Sequence, residues 1–268
     1  MCFALHVRCS GSWPMLKLAE TADLINDFCT RDAFGTKIAG YFASFGGDSR
    51  FAQFWVQQDG DGSPTAAICK SCGSVVLSAD GSADFEELLQ FVGMIGFSTL
   101  SCSLDVCASL GLVPSRIGNI VRYRKAPGEL KNTAEMPRYP DLREIYSLLV
   151  RSGFYRLGDR DDWIADVSLR MNRGAAQWSV ISVNGETAAC ACALFVTQSA
   201  AFLGCVAADE KLRGRGLGSA AVLTLAEKYR SEGKRVELFC RDGEIVDFYK
   251  KTGFEPIGRW AEYDAEQE

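Results

Sequence analysis

A segment rich in glycine and arginine lies in the second half of the 268-residue chain and has the composition of an anion-binding loop. It runs from Gly204 to Ser219, GCVAADEKLRGRGLGS, between a predicted strand and a predicted helix. Glycines let the backbone turn tightly and let a ligand approach closely. The first N–H groups of a helix lack partners within it, and the helix dipole adds positive charge there. The segment therefore predicts a phosphate site to which Arg213 and Arg215 add full charges.

Three phosphate-binding patterns and one purely structural explanation compete for this segment. A P-loop needs a Lys-Ser or Lys-Thr pair directly after its last glycine, and no such pair follows these glycines. Residues 216–221, GLGSAA, match the dinucleotide pattern G-x-G-x-x-A, which keeps a nucleotide-binding oxidoreductase open, although that pattern normally opens almost directly off its strand. The structural explanation is a glycine-rich turn with exposed arginines. The third pattern is R-x-x-G-x-G, formed by Arg213, Gly216 and Gly218.

This third pattern resembles the acyl-CoA pyrophosphate loop of the GNAT superfamily of N-acetyltransferases. A second motif is similar to that family as well, because the segment Tyr249 to Phe254 has the form Y-x-x-x-G-F. In the family, two helices and three antiparallel strands precede the loop, and a helix, strand, short helix and last strand follow it. The predicted elements from about Tyr139 to Tyr263 have the same order.

The resemblance implies an acetyl-CoA-dependent N-acetyltransferase that moves an acetyl group to a primary amine by direct transfer. Acetyl-CoA would be the cosubstrate, and the acceptor a small-molecule or peptide amine. A CoA-binding or sensory module without catalysis is the alternative, since the first half of the chain shows that a copy can lose its motifs.

The family pattern also assigns cofactor contacts to positions of this chain. The strand before the loop would pair its backbone with the pantetheine arm through Val206, Ala207 and Ala208. Asp242 stands where the family often has an asparagine that contacts the cofactor. The loop residues assigned to the pyrophosphate are Arg213, Gly214, Arg215, Gly216, Leu217, Gly218 and Ser219.

Two side chains are candidates for the acid and the base of the transfer. Tyr249 matches the usual acid of the family, which protonates the leaving thiolate. The alternative is that Tyr249 only packs under the cofactor. Glu237 matches a position where some members have a catalytic glutamate, and its alternative is an exposed strand glutamate. For the acceptor, residues 158–163, GDRDDW, suit a cationic amine or, alternatively, simply cap a helix.

A polar stretch with two prolines, Lys125 to Pro140, divides the chain almost in half. Both halves have similar element order, and Asp105–Pro114 aligns with Asp247–Pro256. We predict an α/β protein, with mixed sheets of the α+β type, built as tandem GNAT-like domains. Each domain would be a mostly antiparallel twisted sheet flanked by helices. The predicted divisions are a degenerate domain at 1–128, a linker at 129–138 and an acetyltransferase domain at 139–268.

The first half lacks the chemistry of the second. Between Leu77 and Ala83 it has only Ser-Ala-Asp-Gly-Ser, with no arginine and too little loop to enclose a pyrophosphate. Cys107 stands where Tyr249 stands in the second half. We therefore expect that this half has lost acyl-CoA binding and serves packing or acceptor selection.

Composition excludes several other classes of function. The net charge of −5 makes nucleic acid a poor partner, and no apolar run reaches the length of a membrane span. With no secretory signal and an odd count of 11 cysteines, we expect a cytoplasmic protein with reduced thiols. A single histidine, His6, leaves no histidine-based triad. No metal is expected, although four cysteines keep a zinc site as an alternative. They are Cys69, Cys72, Cys102 and Cys107.

Overall fold

A computed structural model describes residues 15–47, 51–126, 128 and 133–265. His6 and residues 129–132 of the predicted linker lie outside these ranges. The order of the described strands and helices in the second half agrees with the predicted order, and the first half has a similar order.

The first half contributes six strands and four helices to the fold. Its strands are β1 (Met15–Leu18), β2 (Gln53–Gln58), β3 (Pro64–Ser71), β4 (Ser74–Ala79), β5 (Thr99–Ser103) and β6 (Arg116–Tyr123). Its helices are α1 (Asp23–Cys29), α2 (Ala33–Phe45), α3 (Phe85–Ile95) and α4 (Leu104–Ser109).

The second half contributes five strands, four helices and one short 3₁₀ turn. Its strands are β7 (Gln177–Val183), β8 (Glu186–Val196), β9 (Ala200–Ala208), β10 (Arg235–Cys240) and β11 (Phe254–Asp264). Its helices are α5 (Leu142–Arg151), α6 (Arg160–Asn172), α7 (Leu217–Ser231) and α8 (Glu244–Lys251), and the 3₁₀ turn is Glu210–Leu212.

All eleven strands join one continuous sheet in the order β1-β2-β3-β4-β5-β11-β6-β10-β9-β8-β7. Most neighbours are antiparallel, and the pairs β4–β5 and β9–β10 are parallel. The mixed sheet with helices on its faces confirms the predicted fold class. Its order is nearly symmetric about the centre, because β2 to β5 of the first half match β7 to β10 of the second.

The last strand of each half pairs with the strands of the other half. β11 lies beside β5 of the first half, and β6 lies beside β10 of the second half. β6 and β11 also pair with each other across the centre of the sheet. β6 therefore gives β10 a hydrogen-bonded neighbour on the side that faces away from β9, so β10 is not an edge strand there.

Helix α2 packs against strands from both halves on one face of the sheet. Its Phe34 ring lies 4.9 Å from that of Phe239 on β10, and its Tyr41 ring lies 4.7 Å from that of Phe195 on β8. The same apolar cluster includes Ile120 of β6. A second face of the second half is covered by α7 and α8. We call the face covered by α2 the α2 side, and the face covered by α7 and α8 the α7 side.

The segment between the halves is attached to the second half where it is described. The Ala134 N–H donates to Thr224 Oγ1 of α7 at 3.3 Å, and Glu135 forms an isolated bridge with Val180 of β7. The domain boundaries at 128 and 139 stay a prediction. The sheet and the α2 cluster nevertheless run across that point of the chain, so the two halves share a core.

The close approach of α2 to β8 at Gly40 gives a test of this shared core. A Cβ on Gly40 would lie 2.5 Å from the Phe195 Cβ, whereas a Cβ on Gly93 of α3 would meet no atom within 4 Å. We expect Gly40→Ala to lower the free energy of unfolding by about 1–3 kcal/mol, because overpacking forces the core apart. The matched control Gly93→Ala should raise it by about 0.5–1 kcal/mol, since alanine favours a helix. Urea denaturation measures both, and a stabilising Gly40→Ala would contradict the packing described.

Candidate functional site

Strands β9 and β10 part in the second half and leave a gap in the sheet. They pair in parallel from Ala200 and Arg235 up to Leu203 and Leu238. Beyond this point β9 continues to Ala208 and β10 continues to Cys240 without further pairing between them. The gap therefore opens toward the carboxyl ends of both strands.

A bulge in β9 lies at the point where the two strands part. The pairing of β8 with β9 is irregular there, and Cys205 has a positive φ of 50°. The Asp209 N–H donates to Ala188 O of β8 at 2.8 Å. Since alternate residues direct their backbone groups to opposite edges, those of Ala208 point into the gap. An extended ligand can pair with Ala208 there. The resemblance implied Val206 and Ala207 as well, but Ala207 pairs with Cys190 of β8.

Helix α7 begins at the open end of this gap with unsatisfied donors. Its N-cap residue is Gly216, which has φ 74° and supplies no side-chain cap. Gly214 also has a positive φ of 80°, and a Cβ on either glycine would face open space. Leu217, Gly218 and Ser219 form the first turn, whose N–H groups lack intrahelical partners. An uncapped helix start of this kind favours anions, and the anion site expected from the sequence stays a prediction.

The two arginines of the loop lie at the protein surface. Arg213 Nη1 makes an ion pair with Glu210 Oε1 at 3.0 Å, and both side chains are exposed. Arg215 is exposed as well. Backbone groups, rather than buried guanidinium groups, therefore make up the inner surface of the loop.

Tyr249 of α8 lies on the α7 side of the gap and is 7% exposed. Its ring packs edge-on against Phe254 at 5.5 Å between centroids. Burial raises the pKa of its hydroxyl well above the ordinary value, and the thiols of Cys240 and Cys205 raise it further. Those thiols belong to β10 and β9, so the hydroxyl lies close to both strands that border the gap. It stays protonated at neutral pH.

Glu237 lies on the other side of the sheet from Tyr249, since Leu238 packs with Tyr249 and side chains alternate along β10. It is 1% exposed, and its Oε1 accepts from Arg122 Nη2 of β6 at 2.6 Å. Its Oε2 accepts no hydrogen bond from the residues that the structure describes. Glu237 is therefore not the exposed strand glutamate weighed above. It is a buried carboxylate held by an arginine of the first half.

Asp242 follows β10 and is bound by two neighbours. Its Oδ1 accepts from Asn119 Nδ2 at 2.5 Å and its Oδ2 from Arg259 Nη2 at 2.8 Å. These contacts tie the end of β10 to β6 and β11. The structure does not direct this carboxylate toward the start of α7.

The acidic segment at 158–163 forms a helix start. Asp159 caps α6 by accepting from the N–H groups of Asp161 and Asp162 at 2.8 and 3.2 Å. Trp163 packs inward, 5.9 Å from the ring of Trp178. The helix-capping interpretation of this segment is confirmed, while Tyr155 beside it is 89% exposed.

The first half has the same parted strands but a closed helix start. β4 and β5 pair only from Ser74 and Thr99 to Val76 and Ser101. The helix that follows, α3, is capped by Asp84, which accepts from the N–H groups of Glu86 and Glu87 at 3.1 and 3.0 Å. A fixed carboxylate thus takes the place that an anion would need.

Two residues of interest here were missed by the sequence reasoning, Asp84 and Lys37. Asp84, followed two and three positions later by Glu86 and Glu87, forms a helix N-cap pattern and was a detectable signal. Lys37 is the only charged residue in the otherwise apolar and polar-neutral helix α2, AFGTKIAGYFASF. That isolation was also visible in sequence, but its position beside the gap was not.

Neither a candidate metal site nor a membrane-spanning helix is found in the part of the chain that the structure describes. Within the described ranges no group of three or more His, Cys, Asp or Glu side chains is placed to hold a metal ion. Helices in the same part of the chain are all too short or too polar to cross a membrane. A cleft of about 390 Å³ lies at the other end of α7, beside Arg138, Gln177 and Lys234, and is separate from the gap.

Comparison with known proteins identifies the family of the domain that contains the gap. The model of the acetyltransferase (GNAT) family matches residues 140–254. No sequence among curated proteins matches the chain. A tandem GNAT protein from the clavulanic acid biosynthesis pathway is similar in structure over 94% of this chain and 98% of its own, with a TM-score of 0.57 and 14% identity.

Two further solved structures have the same fold over nearly the whole chain. A GCN5-related N-acetyltransferase from Sphaerobacter thermophilus covers 92% of this chain and 94% of its own, with a TM-score of 0.58 and 16% identity. A GNAT-family acetyltransferase from Colwellia psychrerythraea covers 94% and 100%, with a TM-score of 0.54 and 12% identity. Residues 140–254 are therefore a domain of the acetyltransferase (GNAT) family, within a chain that has the fold of a tandem GNAT protein.

Proposed function

We propose that this protein is an acetyl-CoA-dependent N-acetyltransferase with one transfer site, in the gap between β9 and β10. The acceptor is a primary amine of a small molecule or peptide. The observation that carries the proposal is the combination of an uncapped α7 start, parted strands and a buried tyrosine at one site. The family match to residues 140–254 supports it.

The gap suits the shape and charge of acetyl-CoA. The pyrophosphate would accept hydrogen bonds from the first N–H groups of α7, where the helix dipole favours negative charge. The open space beside Gly214 and Gly216 lets phosphate oxygens approach the backbone. The pantetheine amides would pair with Ala208 and Val206 along the free edge of β9. This course leads the thioester toward Cys205, where the strands join.

Tyr249 is suited to protonate the leaving thiolate. A buried phenol with a raised pKa is fully protonated and has little water to compete for its proton. Tyr249 belongs to the same apolar cluster as Leu203 and Leu238, the last paired residues before the gap, so its hydroxyl would lie near a thioester sulfur there. Asp242 is bound by Asn119 and Arg259, and its contact with acetyl-CoA stays a prediction.

Glu237 is better suited to hold the strands together than to accept a proton. Its charge is neutralised by Arg122, and it lies beside Phe202 in the paired part of β9 and β10. Removing one partner of a buried pair leaves the other charge uncompensated, which is strongly destabilising. We therefore favour a structural role for this ion pair.

One acetyl-CoA should bind per chain, because Asp84 closes the corresponding helix start in the first half. Isothermal titration calorimetry with acetyl-CoA measures this stoichiometry. Two equivalent sites per chain would contradict the assignment.

Adding a carboxylate at the start of α7 should weaken acetyl-CoA binding without unfolding the helix. We expect Ser219→Asp to raise the Kd about tenfold or more, since like charges about 4 Å apart near a surface repel by about 4 kcal/mol before screening. The control Ser231→Asp makes the same charge change at the other end of α7. Equal Kd values for the two variants, measured by calorimetry, would place the pyrophosphate elsewhere.

Removing the Tyr249 hydroxyl should slow transfer much more than it weakens binding. We expect Tyr249→Phe to lower kcat about 100-fold or more, the size of a lost general acid, with acetyl-CoA affinity nearly unchanged. The control Tyr229→Phe removes a hydroxyl that bonds to Gln177 away from the gap. Thiol release with a panel of amines measures both rates. Unchanged turnover by Tyr249→Phe rules out the acid role, and acetyl-CoA binding without transfer to any amine favours the non-catalytic module.

A further inference from the structure

We propose that Lys37, on helix α2 of the first half, is the proton acceptor for the incoming amine at the transfer site of the second half. This inference rests on the proposed function and adds a residue to it. It would give the first half a direct part in the chemistry.

The position of Lys37 carries the argument. Its Nζ lies 5.2 Å from the ring centroid of Phe239 and 5.7 Å from that of Phe202. Phe239 follows Leu238 and Phe202 precedes Leu203, and these two leucines form the last pair before the strands part. The amine of Lys37 therefore lies over the closed end of the gap. The sulfur end of acetyl-CoA would reach this end.

Lys37 and Tyr249 flank the gap from opposite sides of the sheet. Tyr249 packs with Leu238 and Phe254 and closes the α7 side. Phe239 packs with Phe34 on the α2 side, where Lys37 lies. An acceptor amine that approaches from the α2 side would meet Lys37 before it meets the thioester.

Charges on the surrounding elements leave Lys37 without an ion pair among the described residues. The carboxylate of Glu262 on β11 acts to raise the pKa of Lys37, and Arg116 binds that carboxylate at 2.8 Å. Glu237 of β10 is held by Arg122. On β3, the Cys69 thiol is buried and has a raised pKa, so it is neutral at ordinary pH.

Farther along this side, Arg173 at the end of α6 donates to Ser44 O of α2, and Arg235 of β10 donates to Arg31 O. Arg170 of α6 binds Asp166, and its guanidinium lies over the ring of Phe195. The Tyr41 hydroxyl on α2 has a pKa raised by burial to about 12 and is neutral as well.

Burial supports the neutral form that a proton acceptor requires. It lowers the pKa of Lys37 below the ordinary value, and the charge of Glu262 only partly opposes this effect. A neutral lysine amine accepts a proton, whereas its ammonium form cannot. The rate should therefore rise with pH through the pKa of Lys37.

The proton and bond changes balance with no further reagent. Neutral Lys37 takes one proton from the acceptor ammonium, directly or through one water. The free amine then forms a C–N bond to the thioester carbonyl carbon as the C–S bond breaks. The CoA sulfur takes a proton from the Tyr249 hydroxyl, and the second excess proton on nitrogen returns to the phenolate. Lys37 finally releases its proton to solvent.

Two substitutions separate proton transfer from simple charge recognition. Lys37→Met removes both the charge and the base, while Lys37→Arg keeps a positive charge that does not titrate. We expect both to lower kcat about 100-fold or more and to remove one ionisation from the acid limb of its pH profile. Acetyl-CoA Kd should stay within twofold of wild type. Lys251→Met, at an exposed lysine of α8, is the control and should match wild type.

Competing outcomes are distinguishable in the same experiment. Wild-type rates in both Lys37 variants overturn the inference. Activity retained by Lys37→Arg, with KM raised in Lys37→Met, overturns it in favour of recognition of an anionic group on the acceptor. Absence of acetyl transfer by the wild-type protein overturns the proposed function, and this inference with it.

Labelling of the full chain provides a readout that needs no turnover. Trace acetic anhydride reacts only with neutral amines, so the pH at which each lysine becomes labelled reports its pKa. Mass spectrometry should give a lower midpoint for Lys37 than for the exposed Lys251. Equal midpoints overturn the inference whatever the kinetics show.

Discussion

Backbone pairing between β10 and β6 is the constraint on which the rest of the structure depends. A strand that borders an open gap on one side needs a full ladder on its other side, because unpaired buried backbone groups are costly. On one side of β10, β9 pairs with residues 235–238 only. On the other side, β6 of the first half pairs with residues 237–240. The Arg122–Glu237 ion pair and the Trp260 Nε1 hydrogen bond to Cys240 O further fix β10 at this point. The gap is therefore held open by strands that come from the other half of the chain.

The two halves share a plan and differ at one helix start. Both have a parallel pair of strands that part, followed by a helix that begins at the open end. Gly216 leaves the first turn of α7 free to bind an anion, while Asp84 fills the equivalent position of α3 with its own carboxylate. Both helices have the same dipole direction and the same N–H groups in their first turn. The difference is that the Asp84 side chain binds those of α3, whereas no side chain caps those of α7.

Exchange of the last strands also places side chains of one half beside the gap of the other. α2 packs under β8, β9 and β10 as well as under its own strands, and Gly40 allows it to approach Phe195 closely. The site in the second half accordingly has a wall on the α2 side made by the first half. Tyr249 and Lys37 come from different halves and lie on opposite faces of the sheet at the same gap. The first half, in which Asp84 caps the corresponding helix start, thereby has a role in the shared core.

Sequence alone determined the local structure of this protein and the glycine-rich form of the loop before α7. Periodicity, N-cap residues such as Asp159 and glycines such as Gly216 depend on neighbours within a few positions, so the order of elements and the Tyr249 motif were predictable. Only the tertiary structure decided that β6 and β11 change places, that Glu237 pairs with Arg122, and that Lys37 lies over the gap. These contacts join residues more than a hundred positions apart. Local pattern does not encode them, because they follow from how complete strands pair and how one helix packs between two halves.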